Sequence, residues 1–330
     1  MASGTNEKIL QEIVMTLLPT PILHHYPNSP FAEKIRLILG YKRISWQSVV
    51  IPLNNAQPDL VALTGGYRQV PVLQMGSDIY CGSSLIADVL EHLAPWPTLY
   101  PEPSKGLARI LAQWADTTLF CTSMAFSTQS KGLEQLFEHA PSDAAKAFSE
   151  DCKSMGAGMA PLPPQDAAAT YRSCLRRLSD MLDDRPFLLG DMPCIADFSV
   201  YAPLWFTQIR TSVLADILNA TPAVLDWMDR MSALGHGSME KSSATGAVAV
   251  AAASEPAALH DDVFQDEHGI ALGSRVVMGT VGVGQEQPTK GELIAATRLH
   301  YTLRRTDAQA GTVHVHFPRI GYALKLATSA

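Results

Sequence analysis

The order in which the hydrophobic period changes between residues 19 and 95 is the strongest constraint on the fold. "TPILHHY" is a short apolar run of strand type, and "PFAEKIRLILGYK" places Phe31, Ile35, Ile38 and Leu39 on one helical face with Gly40 near its end. "SWQSVVI" reads as a second strand and "PDLVAL" as a short helix. "VPVLQM" and "DIYCG" pair as a hairpin around Gly76-Ser77, and "SSLIADVLEHL" closes the segment as a helix. A β-α-β unit followed by β-β-α predicts a small mixed sheet with helices on its faces, hence an α/β first domain over 19–95.

Beyond it the punctuation changes. "APWPTLYPEPSKG" (Ala94 to Gly106) is proline-rich and reads as a connection. From 103 to 235 the period is almost wholly helical, clearest in "QDAAATYRSCLRRLSDML" and "IADFSVYAPLWFTQI", and the loop "GAGMAPLPPQD" interrupts it. This predicts an all-α second domain. Residues 236–260 collapse to Ala, Ser, Gly and Val, a composition that predicts a flexible linker. In 261–330 the period becomes two, in "SRVVMGTVGV", "LIAATRLHYTLRRT" and "GTVHVHFPRIGYALKLA", which predicts a small all-β third domain. No solenoid-type repeat is visible.

Net charge is −7, with Lys and Arg scattered, so the chain lacks the basic stripe of a nucleic-acid surface. Apolar residues make up 47 %, enough for a large core, yet no apolar run approaches the roughly 18–20 residues of a membrane span. The first residues, "MASGTNEKILQEIVMTLLPTP", mix charges into the apolar positions and read as an amphipathic lead-in rather than a secretory signal. Five cysteines, Cys81, Cys121, Cys152, Cys174 and Cys194, are widely spaced without a C-x-x-C pair. That argues against a disulfide or metal framework and for a reducing, cytoplasmic setting.

Three places in the first domain suit an anionic, extended ligand. Ser29-Pro30 opens a helix: Ser is a favoured cap and Pro a favoured first residue. A cap alone explains the pair, but the same geometry puts a hydroxyl and free amides at the positive end of a helix, where a thiolate is stabilised. In "RQVPVL" a cis Val70–Pro71 bond would turn the Val70 backbone outward to pair with a ligand. In "CGSSLIADVLE", Ser83 and Ser84 stand at another helix mouth, again an anion site.

Taken together, "SPFAEKIR", "YRQVPVL" and "DIYCGSSLIADVLE" resemble the thioredoxin-like, glutathione-binding domain of the soluble glutathione transferases. "PFLLGDMPCIADFSVYAPL" resembles the helical-domain folding motif of the same superfamily, with Asp197 in the capping-box position. The resemblance spans about 20–235 and is to serine-type members. The tail, ending "GTVHVHFPRIGYALKL", resembles the small, barrel-like β-extension of some fungal and bacterial relatives. It implies that Ser29 hydrogen-bonds the glutathione sulfur, that the Val70 backbone pairs with the cysteinyl unit, and that Pro71 is the cis-proline. It further implies that Gln69 touches the tripeptide, that Ser83, with Ser84 beside it, holds the γ-glutamyl carboxylate, and that Asp197 is structural. Glutathione would be the cosubstrate, without a metal. A small electrophile would be the other substrate, the protein a homodimer, and neither nucleic acid nor membrane a partner.

Two positions depart from the family pattern. Gly82 stands where an acidic residue usually contacts the γ-glutamyl ammonium, and Cys194 replaces the Ser or Thr cap of the folding motif. Tyr26 and Asn28 flank Ser29 and are alternative thiol partners. Trp114, Phe120, Cys121 and Met124 are candidates for the second-substrate pocket, with core packing the plainer reading. His300, His314 and His316 could be hydrogen-bonded strand histidines or, less simply, three zinc ligands without a fourth. Three functions remain open on this reading. They are a conjugating transferase, a glutathione-dependent isomerase or lyase of a biosynthetic or catabolic pathway, and a non-catalytic binding or scaffold protein.

Overall fold

The computed structural model describes residues 19–52, 57–138, 162–259, 264–265, 267–281 and 288–327. The amphipathic lead-in, Cys152 and most of the "GAGMAPLPPQD" loop lie outside them. In chain order, β1 (Ile22–His25) is followed by α1 (Pro30–Tyr41), β2 (Trp46–Val50), α2 (Pro58–Thr64), β3 (Val72–Met75), β4 (Asp78–Cys81) and α3 (Ser83–Leu93). Helices α4 (Lys105–Trp114), α5 (Phe120–Ser127), α6 (Ser130–Leu136), α7 (Pro164–Met181), α8 (Ile195–Trp205) and α9 (Pro222–Ser232) come next. They are followed by β5 (Met239–Lys241), α10 (Ala244–Ala252), β6 (Arg275–Thr280), β7 (Thr289–Ala296), β8 (His300–Asp307), β9 (Gly311–Pro318) and β10 (Tyr322–Leu326). Two compact units result. One holds the chain up to Tyr26, Lys42–Trp96 and everything from Ser238; the other holds Pro27–Tyr41 and Pro97–Gly237.

The first unit is built on one ten-stranded sheet of order β10-β6-β7-β8-β9-β4-β3-β1-β2-β5. β1 runs parallel to β2 and antiparallel to β3, and β3 antiparallel to β4, as the β-α-β and hairpin signals predict. His24 lies opposite Val72, and Val72 opposite Cys81. The chain after β1, before β3 and after β4 therefore emerges at one end of the sheet. The strand-rich region expected after residue 261 is present as β6–β10, and it continues the same sheet: β9 pairs in parallel with β4, Asp78 opposite His314 and Tyr80 opposite His316. One apolar cluster joins Ile22, Leu60, Val72 and Ile79 to Val276, Leu303, Val315 and Phe317.

The flexible linker expected over 236–260 is corrected by the structure. β5 adds to β2 in parallel, Trp46 opposite Met239. Ser243 then caps α10, accepting a hydrogen bond from the Gly246 amide at 3.0 Å. The low-complexity run is alanine-rich, and alanine is the best helix former. Its small side chains at Ala247 and Ala251 are fully buried, and Gln74 on β3 donates to the Ala247 carbonyl at 2.8 Å.

Among the candidate zinc ligands, His316 uses both ring nitrogens locally. Nε2 donates to Asp78 Oδ1 at 2.9 Å, and Nδ1 shares a hydrogen bond of 3.0 Å with Thr302 Oγ1. No group of three or more potential metal ligands occurs among the described residues, and no described helix is long and apolar enough to cross a membrane.

In the second unit every residue of α8 is buried. Asp197 fixes its start: Oδ2 accepts from the Cys194 amide at 2.9 Å and from Cys194 Sγ at 3.3 Å. Oδ1 accepts from the Leu188 amide and from Trp227 Nε1, both at 2.9 Å. The capping box closes with Cys194 in the place of Ser or Thr. At Gly40 of α1 a Cβ would stand 2.1 Å from the Gly235 carbonyl oxygen, so only glycine permits that approach.

Candidate functional site

In the second unit Ser29 is the residue before α1, half-buried. Its Oγ accepts a hydrogen bond from the Ala32 amide at 3.2 Å, and its carbonyl accepts from the Glu33 amide at 3.0 Å. The capping geometry follows from Ser-Pro: Pro30 has no N–H to satisfy, so the side-chain oxygen reaches the third helical amide. As an acceptor in that bond, the hydroxyl keeps its proton for a different partner. Arg36 braces the loop in front of it, with one guanidinium nitrogen donating to the Pro27 carbonyl at 3.1 Å and to Glu33 Oε2 at 2.6 Å. Glu33 also accepts from His236 at 3.0 Å. Burial opposes its charge, but the His236 hydrogen bond and the Arg36 charge outweigh that and hold the Glu33 carboxyl below its ordinary value. Glu33 and Arg36 are both buried, which a charged pair satisfied on both sides tolerates.

Also in this unit, Phe120 and Met124 are buried and Cys121 is half-buried. The Phe120 ring lies 4.6 Å from that of Phe31, so its observed role is packing on α1. Burial raises the Cys121 thiol above its ordinary pKa. The same cause raises Cys81 and Cys174, and pushes Cys194 up to about 12. None of the described cysteines is an activated thiol.

In the first unit the structure brings five of the predicted residues, Gln69, Val70, Pro71, Ser83 and Ser84, to one end of the sheet. The Val70–Pro71 bond is cis. Gln69 and Val70 are half-buried, just ahead of β3. Across the β3–β4 pair, Gly82 precedes α3 with Ser83 half-buried and Ser84 exposed. Gly82 makes no side-chain cap, and the first turn of α3 carries no acid, so no acidic side chain of that turn offsets the positive end of the helix. Tyr26 lies at this end too, and its hydroxyl accepts a hydrogen bond from Gln57 Nε2. Tyr67 and Tyr322, absent from the sequence reading, are hydroxyl-bonded neighbours of these loops. Tyr67 was discoverable from its place beside "RQVP"; Tyr322 lies 255 residues further on and carries no local signal.

The chain is similar to proteins of one family over both of its predicted N-terminal and helical domains. Residues 23–102 match the family model "Glutathione S-transferase, N-terminal domain", and residues 143–230 match "Glutathione S-transferase, C-terminal domain". A GST-like protein of known structure from Pseudomonas syringae is 38% identical, with 93% of this chain and 99% of that one covered and a TM-score of 0.79. Glutathione S-transferase omega-2 of Rattus norvegicus is 26% identical over 205 residues, 61% of this chain and 71% of that protein. The β-etherase LigF from a Sphingobium strain shares the fold at 17% identity and a TM-score of 0.50, over 65% of this chain and 95% of that one. With near full-length likeness to the P. syringae protein, and both domain families matched in order, the chain belongs to the soluble glutathione transferase superfamily.

Proposed function

We propose that the protein is a serine-type glutathione transferase that activates the glutathione thiol for attack on a small electrophile. The observation that carries the reading is the Ser29 hydroxyl. Its oxygen is engaged by the Ala32 amide, which leaves its proton to donate to a sulfur at the positive end of α1. The described cysteines are not activated, which supports a reactive sulfur supplied by a ligand. In this reading Val70 pairs its backbone with the cysteinyl unit beside Pro71, Gln69 touches the tripeptide, and Ser83 and Ser84 with the α3 amides hold the γ-glutamyl carboxylate.

A free thiol with pKa about 8.5 is mostly protonated at neutral pH. Lowering it by about two units requires roughly 2.7 kcal/mol of preference for the thiolate, within reach of a hydroxyl donor and a helix terminus together. The thiol proton leaves to solvent, the sulfur lone pair forms a bond to the electrophilic carbon, and the displaced electrons go to a leaving group or conjugated acceptor. Titration calorimetry with glutathione, followed by conjugation to an aryl halide, tests the function. Saturable binding and a thiol-dependent rate are expected; binding without turnover on any of a panel of electrophiles would refute the transferase.

Assembly as a homodimer is part of the same proposal. On α4, Leu107 and Ile110 are 56% and 69% exposed one turn apart, an apolar strip of the kind a second copy covers. Light scattering is expected to give twice the 35.7 kDa chain mass; a monomer at micromolar concentration would contradict it.

A further inference from the structure

The last strand reaches both loops assigned above to the ligand. Tyr322, the first residue of β10, shares a 2.8 Å hydrogen bond with the Tyr67 hydroxyl. Tyr67 opens the run Tyr67-Arg68-Gln69-Val70-Pro71. Its ring stands edge-on to Phe317 at 5.6 Å and 6.0 Å from the Tyr322 ring, and Phe317 lies 5.6 Å from Tyr322, so the three close on one another. The Thr64 hydroxyl donates to the Tyr67 carbonyl at 2.6 Å, and Thr289 on β7 donates to the Thr64 carbonyl at 2.8 Å. Arg305 on β8 donates to the Ala62 carbonyl. The C-terminal strands thus hold the segment leading to Val70 at several points.

The same phenol also meets the other loop. A Cβ built on Gly82 would stand 3.0 Å from Tyr322 Oη and 3.3 Å from Pro318 Cγ. Gly82 has φ +83°, a conformation side chains disfavour. The space beside residue 82 is therefore occupied by the C-terminal strands, and the Tyr322 hydroxyl lies against both the Tyr67 side chain and the residue preceding Ser83.

We propose that Tyr322 is a positioning residue for the thiol-tripeptide site, fixing the loop of Val70 relative to the mouth of α3. The proposal rests on the reading of these loops as the glutathione site. An extended ligand that contacts two loops binds well only when their separation is already correct, because ordering them on binding costs affinity. A hydroxyl held by the ten-stranded sheet supplies that order in advance. This gives the C-terminal strands a role in ligand recognition.

The test uses the full-length chain. In Tyr322→Phe the ring and its packing remain and only the hydroxyl goes. Glutathione affinity by calorimetry is expected to fall about fivefold, the equivalent of one neutral hydrogen bond. KM for glutathione rises in step while kcat and the thermal midpoint stay close to wild type. Tyr67→Phe is expected to give the same loss, and the double variant no more than either single. Gly82→Ala, which drives a methyl toward Tyr322 Oη, is expected to bind more weakly alone than combined with Tyr322→Phe. Wild-type affinity in Tyr322→Phe and Tyr67→Phe, or strictly additive effects with Gly82→Ala, would overturn the proposal while leaving the tripeptide site standing. A wild-type chain that does not take up glutathione would overturn both.

Discussion

Replacing Asp197 by Asn tests how the helical unit is held, and two opposing effects decide the outcome. The carboxyl is fully buried, and burial pushes its pKa up although four donors surround it. Asn removes the buried charge, which favours folding. It also turns one oxygen into an NH2 group. If the amide oxygen keeps the Leu188 amide and Trp227 Nε1, the NH2 faces the Cys194 amide, now 2.9 Å from an oxygen. Two buried donors then oppose each other and the cap of α8 is lost. An unsatisfied buried donor costs about 1–3 kcal/mol, so two of them outweigh the relief of one charge that was already well solvated by hydrogen bonds. The expected net loss is about 2–4 kcal/mol, a large share of the roughly 5–15 kcal/mol of a typical domain. Urea denaturation read by fluorescence should show a lower midpoint with an unchanged slope. Stability within about 0.5 kcal/mol of wild type would refute the claim that the four-donor carboxylate organises this unit.

Other expectations concern the first unit. His24 is buried, with Nε2 hydrogen-bonded to Gln74 at 2.9 Å, and burial lowers its pKa to about 4 from 6.5. The unfolded chain then binds the extra proton between those values, so stability is full above about pH 6.5 and falls by up to roughly 3 kcal/mol toward pH 4; a pH-stability slope unchanged in His24→Gln would contradict this. Limited proteolysis is expected to spare 244–252, because α10 is capped and its Ala247 and Ala251 are buried; early cleavage there would show that the helix does not persist. Ala247→Asp should cost about 3 kcal/mol or more by burying an unpaired carboxylate, with soluble expression and thermal midpoint as readouts.

Where residues act on their neighbours, the sequence was readable. The switch from period two to 3.6 located β1 through α3, and Ser-Pro located a cap that the Ala32 amide uses. Asp197 was recognisable as a box residue because its first partner, Cys194, lies three positions away. The alanine-rich segment misled because composition alone does not distinguish a solvated linker from a helix whose small face packs on a sheet. The β4–β9 pairing was invisible for a different reason: parallel pairing across more than two hundred residues leaves no local pattern. Tyr322 shares that blindness, since only the register of β10 against β6 brings it to Tyr67.

If Ser29 both caps α1 and holds the thiolate, as proposed, the two roles separate in one experiment. Ultraviolet absorbance of glutathione thiolate bound to the protein is titrated against pH for wild type and Ser29→Ala. Loss of the cap alone costs about 1 kcal/mol of stability and leaves the titration where it was. If the hydroxyl also donates to the sulfur, the bound thiol in Ser29→Ala titrates about one unit or more higher, and conjugation at neutral pH falls roughly tenfold. That upward displacement is the expected result; titration curves that overlap would rule out the hydrogen bond to sulfur and leave Ser29 as a helix cap.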